Sequence, residues 1–519
     1  MNQQFLTTPK RLVHNTFYNV AALLSNALVG FFLISFFLAR LGEIQYGLWV
    51  LIGGSIFRYA PLLSIGLNSS INRYIPLFAA QNDDDGLQRV ISTSLFFFMV
   101  TGIVLVVISF VVCFNVGSWF AVEPELVKTA GILVLIIGFC SAFAMPLQTS
   151  TATLSGLQRY DVTNTVMLAV LALRTILVVI LLQQGYGLLT TGILFGISEV
   201  VMRLIHSVFV KKLLPTVSLS LSKIDLQLLK EMLAYGINTF MYAMGAIIIY
   251  YASNLIIGIF YGTAQISQFT IASAAIILLS QFLQAFTAAI KPAVTDLDAR
   301  NDAASVKEIA FLTQKYSLLL IIPGGCFLIA MGREFLNVWV SDQFTDPKVI
   351  DLMAVILTIL TVGHCLRLSQ HSNFLVLVGR GQHKIFGILT ALTALFCVLA
   401  SIISVKIFNW GLLGITWSNS LPMALTSVLI LPIYFNRKMH ISMSENIQNV
   451  WKPALLGSLP AVALICIWKY VAAPDSWLEI ISVVVAAMVL TIIGGWFLSL
   501  KEVEKKRFIR IALPKKEID

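Results

Sequence analysis

Four arginines, Arg58, Arg174, Arg203 and Arg367, stand inside apolar stretches long enough to cross a bilayer. A charge at bilayer depth costs about 2.5–3.5 kcal/mol on insertion scales, so such residues face a bundle interior or a wet cavity rather than lipid. What a guanidinium offers there is a permanently charged fork of donors that fits carboxylate or phosphate oxygens. Carboxylates to neutralise the four are scarce, and Glu199 is the only one well inside a span. An interior with surplus positive charge predicts an anionic cargo.

Neutral polar residues fall on helical stripes around these charges. Asn15, Asn19 and Asn26 share a face of the first span, and Asn238, Tyr242 and Ser253 a face of the seventh. Ser267, Thr270, Gln281, Gln284 and Lys291 recur along the eighth span, as do His364, Arg367 and His371 in the tenth. Two uses compete for Asn and Gln in such places: lining a polar cavity, or bonding one helix to another for about 0.6 kcal/mol each. Glu199 lies four residues before Arg203, which predicts a local ion pair. The alternative for Glu199 is a carboxylate that couples transport to a proton or cation. The histidines titrate near neutral pH when unperturbed, and satisfied polar groups are the simpler expectation for them.

Membrane helices must position these groups. The chain has 519 residues, 58% of them hydrophobic and 12% charged, with mean hydropathy +0.88. A soluble protein could not hide that much apolar surface. About fourteen runs of some 20 apolar residues predict an all-α integral membrane protein, the first run at 15–39, the second at 47–70, the eighth at 266–290 and the last at 477–499. The first is too long for a leader core and is read as a retained span.

The net charge of +10 does not predict nucleic-acid binding, because the basic residues collect in alternate loops and the tail. With the N-terminus inside, 25 Lys and Arg lie on the inner side and six on the outer side. This positive-inside bias predicts cytoplasmic N- and C-termini. Trp49, Trp119, Trp339, Trp410 and Trp477 fall near outer span ends, where an interfacial belt is expected. The six cysteines show no metal-ligand or C-x-x-C spacing, so neither a metal nor a cofactor is expected. There is no P-loop, H-E-x-x-H or G-x-S-x-G, and no large extramembrane loop to carry catalysis; the chain reads as a transporter rather than an enzyme.

Segments recur at a shared offset. Ile71-Asn72-Arg73-Tyr74-Ile75-Pro76 followed by Asn82-Asp83 has its counterpart in Ala289-Ile290-Lys291-Pro292 followed by Asn301-Asp302. Gly156-Leu157-Gln158-Arg159-Tyr160 pairs with Gly379-Arg380-Gly381-Gln382-His383-Lys384. Offsets of 216 and 223 residues equal about six spans, predicting two parallel-repeat six-helix lobes. The expected division is an N-terminal lobe at 1–212, a cytoplasmic linker at 213–234 and a C-terminal lobe at 235–436. Two added helices follow at 437–500, then a basic tail at 501–519. Spans one, two, seven and eight are counterparts, so they are candidates to line one central cavity.

Certain stretches carry a family resemblance. They are Asn15-Thr16-Phe17-Tyr18-Asn19, Leu41-Gly42-Glu43-Ile44-Gln45-Tyr46-Gly47-Leu48-Trp49, Gly66-Leu67, Asn72-Arg73-Tyr74-Ile75 and Gly156-Leu157-Gln158-Arg159-Tyr160-Asp161. With the span count, they make the chain similar to the polysaccharide (O-antigen and exopolysaccharide) flippases of the multidrug/oligosaccharidyl-lipid/polysaccharide exporter superfamily. The resemblance implies a V-shaped pair of six-helix lobes around a central cavity in a bacterial plasma membrane. It implies a lipid-linked glycan with a diphosphate as cargo, moved from the inner to the outer leaflet by alternating access. By similarity Arg58 and Lys291 would meet the diphosphate; Lys291 stands where an arginine is usual. A polysaccharide polymerase or glycosyltransferases are the partners the family implies, beside membrane lipid. Cation-coupled small-molecule exporters and lipid II flippases of the same superfamily remain the competing readings, with a membrane glycan polymerase or glycosyltransferase behind them.

Overall fold

The structure, a computed structural model, describes residues 9–215, 221–382 and 384–505, and every element is helical. The side chains of Asn15 and Asn238 and the tail beyond residue 505 lie outside the described residues.

The chain opens with α1 (Pro9–Ile52), bent at Gly42 where φ is 77°. A 3-10 segment (Ile56–Ser64) leads into α2 (Leu67–Ala80). Then come α3 (Asp84–Trp119), α4 (Val127–Gly156), α5 (Tyr160–Gln183), α6 (Leu188–Leu213) and α7 (Leu226–Phe260). Next are α8 (Thr263–Thr287), α9 (Ile290–Ala299), α10 (Ala303–Ala330), α11 (Gly332–Val340), α12 (Pro347–Leu368), α13 (His371–Gly379) and α14 (Lys384–Lys406). The last are α15 (Gly411–Leu425), α16 (Leu431–Met439), α17 (Met443–Asn446), α18 (Lys452–Val471) and α19 (Trp477–Gly494).

Thirteen helical stretches among the described residues are long and apolar enough to cross a membrane. The count differs from fourteen because spans one and two run together as Phe17–Ser64. Large apolar side chains stay on the outside, Phe114 at 81% and Phe17 at 69% exposure, as a hydrocarbon solvent permits.

Two compact units form. One holds Met1–Ile271 with Lys384–Asn419; the other holds Ala272–His383 with Ser420–Asp519. In the first, α3, α4 and α6 pack through small residues: a Cβ on Gly102 would sit 2.8 Å from the Ala142 carbonyl, and one on Gly196 2.7 Å from Cys140 Sγ. Close approach of this kind replaces the hydrophobic drive that lipid does not supply. In the second, α10 packs on α18, and α18 on α19, with Gly457 and Gly494 backbone to backbone.

Helix starts are set by aspartates. Asp83, Asp225 and Asp302 accept from the backbone N–H of Gly86, Leu228 and Ser305 at 2.8, 2.9 and 3.0 Å, each filling one orphan donor of a helix N-terminus.

Eight residues at positive φ fall in four pairs at the offset expected for a repeat. Gly42 and Gly262, Asn82 and Asn301, Gln158 and Gly381, and Gly185 and Asn409 all adopt it, and members of each pair stand 219 to 224 residues apart. Tight turns need this conformation and side chains resist it, so its recurrence marks equivalent corners. Ile65, Gly66 and Gly411 have no such counterpart among the described residues; at the position matching Ile65 and Gly66, α8 runs unbroken.

Trp119, Trp410 and Trp477 are exposed as an interfacial belt requires, at 47%, 58% and 37%. Trp339 instead is buried beside Phe335, and Trp49 packs edge-on against Phe195. Their rings serve helix packing rather than the bilayer surface. All six cysteines are free thiols.

Candidate functional site

Span two is not a continuous α-helix. Gly53 and Gly54 weaken the end of α1, Pro61 lacks an N–H, and Ile65 and Gly66 sit at φ 46° and 76°. Between these breakers the chain winds as a 3-10 helix, and Arg58 projects from it, exposed. A β-branched residue at positive φ is a true outlier, and strained backbone of this sort gathers at functional sites. Broken helices in membrane transporters occur where backbone is enclosed by protein or lines a cavity.

The guanidinium of Arg58 lies 5.7 Å from the centroid of the Tyr251 ring of α7. Arg174 of α5 is half-buried, with its guanidinium 4.1 Å from the centroid of Phe195. Trp49 approaches that same ring edge-on at 4.7 Å, and Phe37 lies against both. The Nε of Arg174 is buried without a hydrogen-bond partner among the described residues. Rings hold both cations by cation–π attraction, which leaves edge donors for an anion.

Arg203 is engaged otherwise. Its Nη2 meets Glu199 at 2.5 Å and its Nη1 donates to the Ala144 carbonyl at 2.8 Å. The ion pair predicted from the spacing is therefore formed. One turn beyond, His206 bonds Thr151 at 3.0 Å and Ser207 bonds Ser150 at 2.8 Å, sealing α6 onto α4.

The neutral candidates separate by their partners. Asn19 accepts from Asn164 at 2.6 Å, bonding α1 to α5. Ser253 is buried and accepts from Asn419 at 3.2 Å, and Ser267 donates to the Glu43 carbonyl at 2.5 Å. Thr270 donates to Asn254 at 3.4 Å. Asn26 is exposed, and Tyr242 is half-buried with interactions of its own.

In the second unit Gln281 is half-buried, while Gln284 and Lys291 are exposed. The tenth span breaks at Ser369 and Gln370, which separates half-buried Arg367 and buried His364 from His371 beyond the break. A charged residue missed by sequence reading lies in this unit. Lys315 of α10 is 1% exposed and pairs with Glu504, at 2.7 Å and 2.9 Å to the two carboxylate oxygens. Its inner position in the span made it look like a loop-facing topology charge; only its flanks, Gln314 and Ser317, signalled burial, and these bond Asn446 and Ser372.

Comparison with known proteins places the chain. A family profile described as "Polysaccharide biosynthesis protein" matches residues 77–348. No curated protein sequence matches. Among solved structures, an inward-facing multidrug resistance MATE transporter of the MOP superfamily aligns at TM-score 0.66 and 15% identity, over 82% of this chain and 94% of that one. The lipid II flippase MurJ in an inward closed conformation aligns at TM-score 0.65 and 14% identity, over 96% and 99%. A MOP superfamily transporter from Pyrococcus furiosus, described as having a binding pocket of reverse polarity, aligns at 0.64 and 15%, over 84% and 97%. At these identities the likeness is one of fold. The profile match spans more than half of the sequence, and on that ground the chain belongs to the polysaccharide biosynthesis protein family, built on the fold of the MOP superfamily transporters.

Proposed function

We propose that this protein is a flippase for polyprenyl-diphosphate-linked oligosaccharide, working by alternating access from the inner to the outer leaflet of a bacterial plasma membrane, with both termini cytoplasmic. The observation that carries this is the pair Arg58 and Arg174. Both lie in stretches of one unit long and apolar enough to cross a membrane, both face aromatic rings, and neither is in an ion pair among the described residues. A diphosphate brings roughly two negative charges and several acceptor oxygens to meet such donors. Lys291 and Arg367 are the cationic candidates of the second unit, and Gln281, Gln284 and Asn26 are candidate partners for sugar hydroxyls. A polymerase or glycosyltransferase would consume or supply the carried glycan.

The test is leaflet-resolved accessibility of lipid-linked glycan in cells depleted of the protein. Accumulation on the cytoplasmic face, reversed by the wild-type gene and not by Arg58→Ala, supports the proposal. An unchanged lipid-linked pool points to a small-molecule exporter of the same fold, with Glu199 as the residue to examine under cation gradients.

A further inference from the structure

We infer that Tyr251 and Asn254 of α7 are positioning residues for Arg58, holding the broken segment of span two so that its guanidinium stays ordered yet open to a lipid diphosphate. This rests on the flippase reading and adds two residues to its site.

The segment from Ser55 to Gly66 has no α-helical ladder to fix it. It is fixed instead from outside: α1, α3 and α4 pack against it, and α7 supplies the polar and ring contacts to its start and to Arg58. At its start, buried Ser55 accepts from the Nδ2 of buried Asn254 at 3.3 Å. One turn earlier on α7, the Tyr251 ring lies against Arg58. At the far end the Gly66 and Gly236 backbones touch so closely that a Cβ on either would collide with the other. Beyond it Thr239 donates to Ser69 at 3.0 Å, and the Ser70 hydroxyl bonds the Met232 carbonyl. Contacts from Met232 to Asn254 thus tie down both ends of the non-helical stretch and the start of α2.

How Arg58 is held matters as much as where. A carboxylate partner would occupy the edge N–H groups of the guanidinium, as Glu199 and the Ala144 carbonyl do for Arg203. A ring takes the face and leaves the edge donors available for bidentate contact with phosphate. Asn254 is itself steadied by Thr270, which sets the Ser55 anchor from a second helix. Stacking also removes rotamer freedom before the ligand arrives, which favours binding.

The experiment measures binding of undecaprenyl diphosphate, with undecaprenyl phosphate for comparison, to the purified full-length protein in nanodiscs. Monodispersity and melting temperature are recorded for every variant. Tyr251→Leu is expected to weaken diphosphate binding about three- to thirtyfold, the range of a cation–π contact, while Tyr251→Phe stays near wild type. Asn254→Ala is expected to follow Tyr251→Leu. In an Arg58→Gln background neither substitution should cost anything more, because the group they position is gone. Equal losses in both backgrounds would show a merely structural role and overturn the inference. So would unaltered binding by Tyr251→Leu while Arg58→Gln is impaired. If Arg58→Gln itself binds diphosphate as wild type does, the cationic-site reading falls together with this one.

Discussion

Glu199 and Arg203 meet at 2.5 Å, one turn apart on α6, and this contact separates Arg203 from the other two arginines of its unit. Arg203 gives both terminal nitrogens to acceptors inside the protein, whereas Arg58 and Arg174 face aromatic rings. One residue type within the spans of one unit thus meets two kinds of partner, a carboxylate in one case and aromatic rings in the other.

The separation predicts opposite phenotypes. Arg58→Ala and Arg174→Ala should each lose translocation while expression and melting temperature stay near wild type. Each removes charge-assisted bonds worth roughly ten- to a hundredfold in binding, and lysine at either position should retain part of the activity. Glu199→Ala should instead lower stability by about 1–3 kcal/mol, since it strands a partly buried guanidinium. Thermal unfolding and transport, measured on the same preparations, separate the two classes; normal transport by both arginine mutants would defeat the cationic-site proposal.

Lys315 and Glu504 predict a stability effect far from that site. Only 2% of the lysine side chain and 14% of the glutamate side chain are exposed. Glu504→Ala leaves a buried ammonium whose remaining acceptor among the described residues is the Ser499 carbonyl at 3.4 Å, and should cost about 3–5 kcal/mol. Replacing both residues, as Lys315→Met with Glu504→Leu, should recover most of that loss. A chemical or thermal melt that ranks the double variant below Glu504→Ala would contradict the pairing.

At Gly66 the expectation is a folding defect. The residue combines φ 76° with a backbone contact to Gly236 that leaves no room for a Cβ. Gly66→Ala should cost at least about 1–2 kcal/mol from the left-handed conformation alone, and more from the collision. Gly381→Ala shares the positive φ but has open space around it, so it should show the smaller loss in the same melt.

Asp302 gives a pH dependence. Hydrogen bonds from Ser305 at the start of α10 hold its carboxyl below the ordinary aspartate value. A group lowered by folding stabilises the folded state above its unfolded pKa and loses that contribution as pH falls through the folded one. Melting temperature should therefore gain a component that drains below about pH 4. Asp302→Asn should keep the cap and remove that component; an unchanged acid profile in Asp302→Asn would refute the assignment.

Much of the architecture was legible because it rests on local chemistry. Apolar runs of span length, charges in alternate loops, and the i, i+4 spacing of Glu199 and Arg203 can each be read without knowing what lies opposite. The paired corners Asn82-Asp83 and Asn301-Asp302 were visible for the same reason: a left-handed residue followed by an aspartate cap is specified within a few positions. Hydropathy could not see the break in span two. An apolar residue scores alike in an α-helix and a 3-10 turn, so Gly53-Gly54, Pro61 and Gly66 were the available signs.

Tertiary structure alone decided which polar groups are spent. Asn19 finds Asn164 across 145 positions, and Ser253 finds Asn419 across 166. Arg58 finds a tyrosine of α7, and Lys315 an acid after the last helix. The sequence determined that this is a many-helix membrane protein with charges at depth, because the bilayer imposes length and polarity on each segment separately. Which of those charges is neutralised inside the protein and which stays open to a ligand depends on partners far away along the chain, and a pattern read one helix at a time does not contain them.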